Sequence, residues 1–255
     1  MSDKWESYFA PIDDEVAAIL VDLGIADSAP DPERPVLLWM WLTMQSPDEN
    51  GFASEEEEEV LTQIEDSFID AVELTTGGYL VGRVTTSGRR EFYFYAKSGE
   101  GFDDTVAEAM EPFEDYEYEA DVQDDAEWAQ YFNVLYPGDE DAQQIFNRRV
   151  IDRLAESGDS LTTPRRVDHF ANFPSEESRS EFIADAMAAG YEVVSQKRRD
   201  ESDTEFPFSV GLQRDSAVDW ETIEDITFEL FDLARQHQGE YDGWGSEVVR
   251  DDTPE

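Results

Sequence analysis

Twice along this chain the apolar pattern switches between a period of two and a period of three to four residues, each time in the order strand, helix, strand, strand, helix, strand. A unit of that order buries one face of an antiparallel sheet beneath two helices. The pattern therefore predicts an α+β protein made of two ferredoxin-like βαββαβ sandwiches in tandem. In the first copy, residues 36–44 (VLLWMWLTM) form a near-continuous apolar run, the mark of a central strand covered on both faces or capped at its ends. Ser54 and Glu57 have capping-box spacing, and Val60, Leu61, Ile64, Phe68, Ala71 and Val72 then give a helix over 54–74. Gly77 and Gly78 stop it. Strands over 79–86 and 90–97 flank the Gly-containing loop Ser87-Gly88-Arg89, and a helix over 103–114 leads to a strand over 116–122. Residues 5–25 carry enough apolar positions for one bent strand or two on the same sheet.

Pro137-Gly138-Asp139 after residues 127–136 (EWAQYFNVLY) is the candidate linker, which divides the chain into domains 1–137 and 138–255. The second copy opens with an additional helix over 140–157. It continues with a strand over 166–173, a helix from Pro174-Ser175 to about 189, strands over 191–197 and 206–213, a helix capped by Asp219, and a final strand over 240–249.

Composition narrows the function classes. The chain has 63 acidic and 18 basic residues, a formal charge of −45, yet 40% of it is apolar and it holds 16 Phe, 10 Tyr and 6 Trp. A disordered acidic chain lacks that apolar content, so this one folds. The acidity is spread over both parts, −28 for 1–137 and −17 for 138–255. Such a field repels phosphate backbones and anionic lipid, which argues against direct nucleic-acid or membrane binding. Only 3 of the 18 basic residues are lysine, and two readings of the acidity stay open: adaptation to concentrated salt, or a surface facing a basic partner. The absence of cysteine excludes disulfides and thiolate chemistry and fits a reducing compartment. No apolar run is long enough to span a bilayer and MSDKWESYF does not read as a signal peptide, so the expectation is cytoplasmic.

No catalytic set stands out. Carboxylates occur at every spacing, so no acid/base pair can be selected, and there is no phosphate loop, nucleophile elbow, zinc motif or calcium loop. The expectation is no catalytic residue, no metal and no cofactor. Of the two histidines, His237 suits a helix C-terminus and His169 lies on a strand. The one compact constellation is Glu240-Tyr241-Asp242-Gly243-Trp244-Gly245, where two glycines beside a large aromatic predict a bulged strand with Trp244 exposed or half-buried.

That motif, after a long amphipathic helix and with Leu154 to Asp159 (Leu-x-x-x-Gly-Asp) ending an earlier helix, resembles the family called regulator of ribonuclease E activity B over about residues 140–250. The resemblance rests on Tyr241, Asp242, Gly243, Trp244 and Gly245, with Asp168 and His169 where the family has an acidic-histidine pair on its first strand. It implies a ferredoxin-like, non-enzymatic protein that binds a ribonuclease E-like partner and restrains RNA turnover. Those seven residues are the candidate partner site, and a basic segment of the ribonuclease is the expected counterpart. Residues 1–137 resemble a bacterial domain family of unknown function, through Trp128, Tyr131, Leu135, Tyr136 and Pro137. The competing readings are a hydrolase or metal-dependent enzyme using N-terminal carboxylates, and a two-domain immunity or scaffold protein with another partner.

Overall fold

In the computed structural model, which describes residue 2 and residues 4–199 and 205–250, the chain begins with a hairpin. Strands β1 (Trp5–Ile12) and β2 (Glu15–Asp22) are joined by Asp13 and Asp14, both at positive φ, the backbone of a tight two-residue turn. There follow β3 (Val36–Thr43), α1 (Glu55–Thr76), β4 (Tyr79–Thr86), β5 (Arg89–Ala96), α2 (Phe102–Met110) and β6 (Tyr118–Asp124). They form a six-stranded antiparallel sheet of order β1-β2-β4-β5-β3-β6. Of the two alternatives for residues 5–25 the structure takes the second: they form two strands, which extend the β4 edge of the sheet.

Both faces of this sheet are covered. On one, Leu61, Ile64, Phe68 and Val72 of α1 and Phe102, Val106 and Met110 of α2 pack on Leu38, Met40, Leu42, Phe92 and Phe94. Across the other runs the segment 127–136, which contains a π-helical turn, Tyr131–Leu135, where sequence alone suggested only a linker approach. Trp128 stacks on Tyr95 at 4.0 Å, Tyr131 donates its hydroxyl to the Asp22 carbonyl, and Tyr8 donates to the Leu135 carbonyl. A Cβ on Gly82 would lie 2.9 Å from both the Leu135 side chain and the Leu20 carbonyl, so glycine is what lets this segment approach. The cover reaches the start of β3, where Leu37 is buried beside Tyr95, while Trp39 and Trp41 farther along the same face stay half-buried.

At the start of α1 the Ser54 hydroxyl accepts from the Glu57 amide at 3.3 Å. Glu57 does not close the reciprocal half of a capping box. Its carboxylate instead accepts from the amides of Gln45 and Ser46 at 2.6 and 2.8 Å, pinning the chain beyond β3 to the helix. Ser54→Ala is expected to cost about 1 kcal/mol, read as a lowered urea midpoint of the first transition; an unchanged midpoint would mean the Glu57 contacts alone hold the helix start.

The chain divides into two compact units, Met1–Asp141 and Ala142–Glu255. The second follows α3 (Asp139–Glu156), whose first residues belong to the first unit, with β7 (Arg165–Phe173), α4 (Glu176–Ala188), β8 (Glu192–Arg198), β9 (Phe208–Ser216), α5 (Trp220–Gln236) and β10 (Glu240–Ser246). The last strand ends at Ser246, three residues short of the expected 249. The antiparallel sheet has the order β10-β7-β9-β8. Counted within each βαββαβ unit, both sheets place the strands in the order fourth, first, third, second.

Helices α4 and α5 pack Phe182, Ala186, Ile226, Leu230 and Ala234 on Ala171, Phe173, Val210 and Leu212. Alternation puts the intervening residues, Asp168, Phe170, Ser209, Gly211 and Gln213, on the opposite face. Among the described residues no element covers that face, and Phe170 at its centre is 45% exposed. The two sheets therefore differ: the first is covered on its second face over β2, β4 and β5, whereas the second is open there.

Candidate functional site

The register of β10 against β7 shifts between Tyr241 and Gly243, so the expected bulge is present, with Asp242 as its extra residue. Gly243 sits at φ 101°, and a Cβ there would lie 2.9 Å from the Phe146 ring of α3. Both observations require glycine.

The bulge turns Trp244 inward. It is 4% exposed, contrary to the expectation of an exposed or half-buried ring, and packs with Ile151, Leu154, Val167, Val218 and Ile223. The physical reason is a polar partner inside: the indole N–H donates to Oδ1 of Asn147 at 2.9 Å. Asn147 also accepts from Gln143 at 2.8 Å and donates to Thr227 and Glu224 at 2.7 and 2.9 Å, which ties α3, α5 and β10 together.

Tyr241 and His169 also face the helices. The Tyr241 hydroxyl and His169 Nδ1 lie 2.8 Å apart, and His169 is 1% exposed. Burial, with Arg214 nearby, pushes the imidazole down to about 3, and burial raises the Tyr241 phenol well above its usual range. Both stay neutral near pH 7 and act as a packed pair rather than as a proton-transfer site. His237 ends α5, as expected of it, with Nε2 2.9 Å from a carboxylate oxygen of Asp185.

The rest of the predicted set lies on or beside the open face. Asp168 accepts from the Gln213 amide at 2.5 Å, Gly245 pairs with Asp168 across the strands, and exposed Asp242 lies 3.5 Å from Arg199. The structure thus splits the seven residues, with Trp244, Tyr241 and His169 inside, Asp168, Asp242 and Gly245 outside, and Gly243 buried at the bulge between them.

Sequence reasoning missed Phe170. Its signal was the strict alternation in β7, where Val167, His169, Ala171 and Phe173 face inward and Arg166, Asp168, Phe170 and Asn172 face outward. Beside Phe170 a cavity of about 300 Å³ opens, lined by Asn172, Ser195, Lys197, Arg199 and Asp242 among others. Among the described residues no three His, Asp or Glu side chains converge as a metal-binding group, and no helix is long and apolar enough to cross a membrane.

A family model described as Family of unknown function (DUF695) matches residues 3–136, and one described as Regulator of ribonuclease activity B matches residues 144–246. Proteins named Regulator of ribonuclease activity B are similar to this chain over its C-terminal part. One from Pseudoalteromonas atlantica is 29% identical over 107 residues, 41% of this chain and 89% of that protein. One from Alteromonas mediterranea is 28% identical over 103 residues (40% and 76%), and one from Escherichia coli 24% over 104 residues (41% and 75%). A solved structure of an unknown protein from Galdieria sulphuraria aligns at 9% identity over 85% of this chain and all of that one, with a TM-score of 0.23, too low to inform the fold.

Proposed function

The chain belongs to the family of unknown function DUF695 through residues 3–136 and carries a Regulator of ribonuclease activity B domain over residues 144–246, and from that premise we propose a non-catalytic regulator that binds ribonuclease E by protein–protein contact and restrains RNA turnover. In this reading the two modules meet at Pro137/Gly138 and each is a ferredoxin-like sandwich, the first enlarged by the β1–β2 hairpin. No activity is assigned to the first module.

The observation that carries the reading is the open face of the C-terminal sheet. It presents a half-exposed phenylalanine, Phe170, between the carboxylates of Asp168 and Asp242, on rigid strands rather than on a loop. An apolar anchor ringed by charge is the arrangement of an interaction centre. Tyr241, His169, Gly243 and Trp244 support it from beneath by fixing the bulge that presents Asp242. A basic partner segment gains association rate from the acidic surroundings, and once held it is no longer free to bind RNA.

The test is equilibrium and kinetic binding of the full-length chain to ribonuclease E. Phe170→Ala is expected to weaken binding by about tenfold or more, in the range for loss of a central anchor. Asp242→Lys should act mainly by slowing association. Binding by Phe170→Ala that matches the parent chain would remove this face from consideration.

A further inference from the structure

We infer that the cavity beside Phe170 is a carboxylate socket, which takes the one acidic side chain of an otherwise basic, extended partner segment together with a neighbouring backbone N–H. The inference rests on the reading above that the open face docks a protein. Two cross-strand rows make its floor. Phe170, Gly211 and Ser195 lie side by side, and next to them Asn172, Ser209 and Lys197. Both central positions are small, and a Cβ on Gly211 would displace the Ser195 hydroxyl, 2.7 Å away. The trough is therefore built into the sheet.

Its polar groups are arranged for a visitor. Lys197 is exposed and makes no ion pair among the described residues, although the C-terminal part of the chain carries a net charge of −17. Arg199 is held near the rim by Asp242 at 3.5 Å. Beneath them Arg179, itself buried and paired with Glu176 at 3.6 Å, donates to the carbonyls of Lys197 and Ser209 and so fixes the floor from below. Asn172 is 1% exposed; its amide N–H₂ donates to Glu240 at 3.3 Å, and its Oδ1 has no partner. A buried amide oxygen without a donor is costly, and a partner N–H satisfies it once the Asn172 side chain turns toward the cavity.

The same surroundings decide between a carboxylate and a nucleic-acid phosphate. Glu192, Asp215, Asp168, Glu240 and Asp242 lie on the sheet around the socket. A polyanion would bring many charges against them, whereas a peptide carboxylate brings one.

The experiment is an NMR titration of the full-length ¹⁵N-labelled chain with three probes: a blocked pentapeptide Ac-Ala-Glu-Ala-Glu-Ala-amide, its Gln counterpart, and a uridine hexanucleotide. The expected result is shift changes at Asn172, Lys197 and Ser209 with the Glu peptide, at least threefold weaker affinity for the Gln peptide, and loss of both in Lys197→Glu but not in Lys197→Arg. Equal response to the Gln peptide, response to the RNA alone, or no response to either peptide overturns the socket. Ribonuclease E is then added to each variant. Diffuse acidity alone would make Lys197→Glu bind a basic segment as well as the parent chain or better, whereas the socket requires about tenfold weaker binding. A Glu-peptide response without ribonuclease E binding keeps the socket and rejects the ribonuclease reading.

Discussion

Trp244→Ala is expected to lower the unfolding free energy of the C-terminal unit by about 3–5 kcal/mol, the range for removing a large buried aromatic. The ring is almost fully enclosed by residues of α3, β7 and α5, and its N–H ends in a network that joins α3, α5 and β10. Truncation opens a cavity and also removes one donor from Asn147. Urea unfolding followed by circular dichroism checks the size of the loss, and ribonuclease E binding is measured at a temperature where the variant is still folded. A stability loss with retained binding per folded molecule is the expected pair of results. A stable variant that fails to bind would instead make Trp244 a direct anchor that faces the partner.

How far the sequence revealed this follows from which signals are local. The β3 run, the Ser54 cap, the Ser87-Gly88 turn and the Asp219 cap each depend on neighbours within a few residues, and each is found where the pattern puts it. The bulge at Tyr241–Gly243 was legible for the same reason, because glycines flanking an aromatic speak about the local backbone. The direction in which Trp244 then points was not, since it depends on Asn147, ninety-seven residues away. Residues 127–136 hid their role similarly. Trp128, Tyr131 and Leu135 have helix-like spacing, but what they cover is the far face of a sheet made from distant strands, and their turn is π-helical rather than α-helical.

The difference between the two sheets was present in the sequence and needed only finer reading. Outward positions of β3 are Leu37, Trp39 and Trp41, which calls for cover, whereas outward positions of β7 are Arg166, Asp168, Phe170 and Asn172, which does not. The phenylalanine in that otherwise polar row, Phe170, is the residue on which the proposed docking rests.

Asp159 gives the second large effect, and it carries a pH signature. Its carboxylate accepts from the amides of Leu161 and Val249, each at 2.7 Å, and pairs with the Arg165 guanidinium, with both side chains almost completely buried. It thus clamps the chain leaving α3 to the chain leaving β10. Burial alone would raise its pKa, but the hydrogen bonds from Arg165, Val249 and Leu161 outweigh it and hold the group at about 2. Because the folded value lies below that of an unfolded aspartate, about 3.9, the stabilisation is fully present above about pH 4 and is lost as pH falls toward 2. Asp159→Ala, which strands the Arg165 guanidinium in the interior, is expected to cost about 3–5 kcal/mol at pH 7. Asp159→Asn keeps the shape and removes the titration. With 63 acidic residues in the chain, the acid dependence of the parent protein alone cannot be assigned to one of them, so the difference between parent and Asp159→Asn is what must be followed. Urea midpoints at pH 7, 4 and 2.5 should show that difference shrinking as the pH falls. A gap that stays constant across the series would mean that folding leaves the Asp159 pKa unshifted, and the clamp would then owe nothing to its charge.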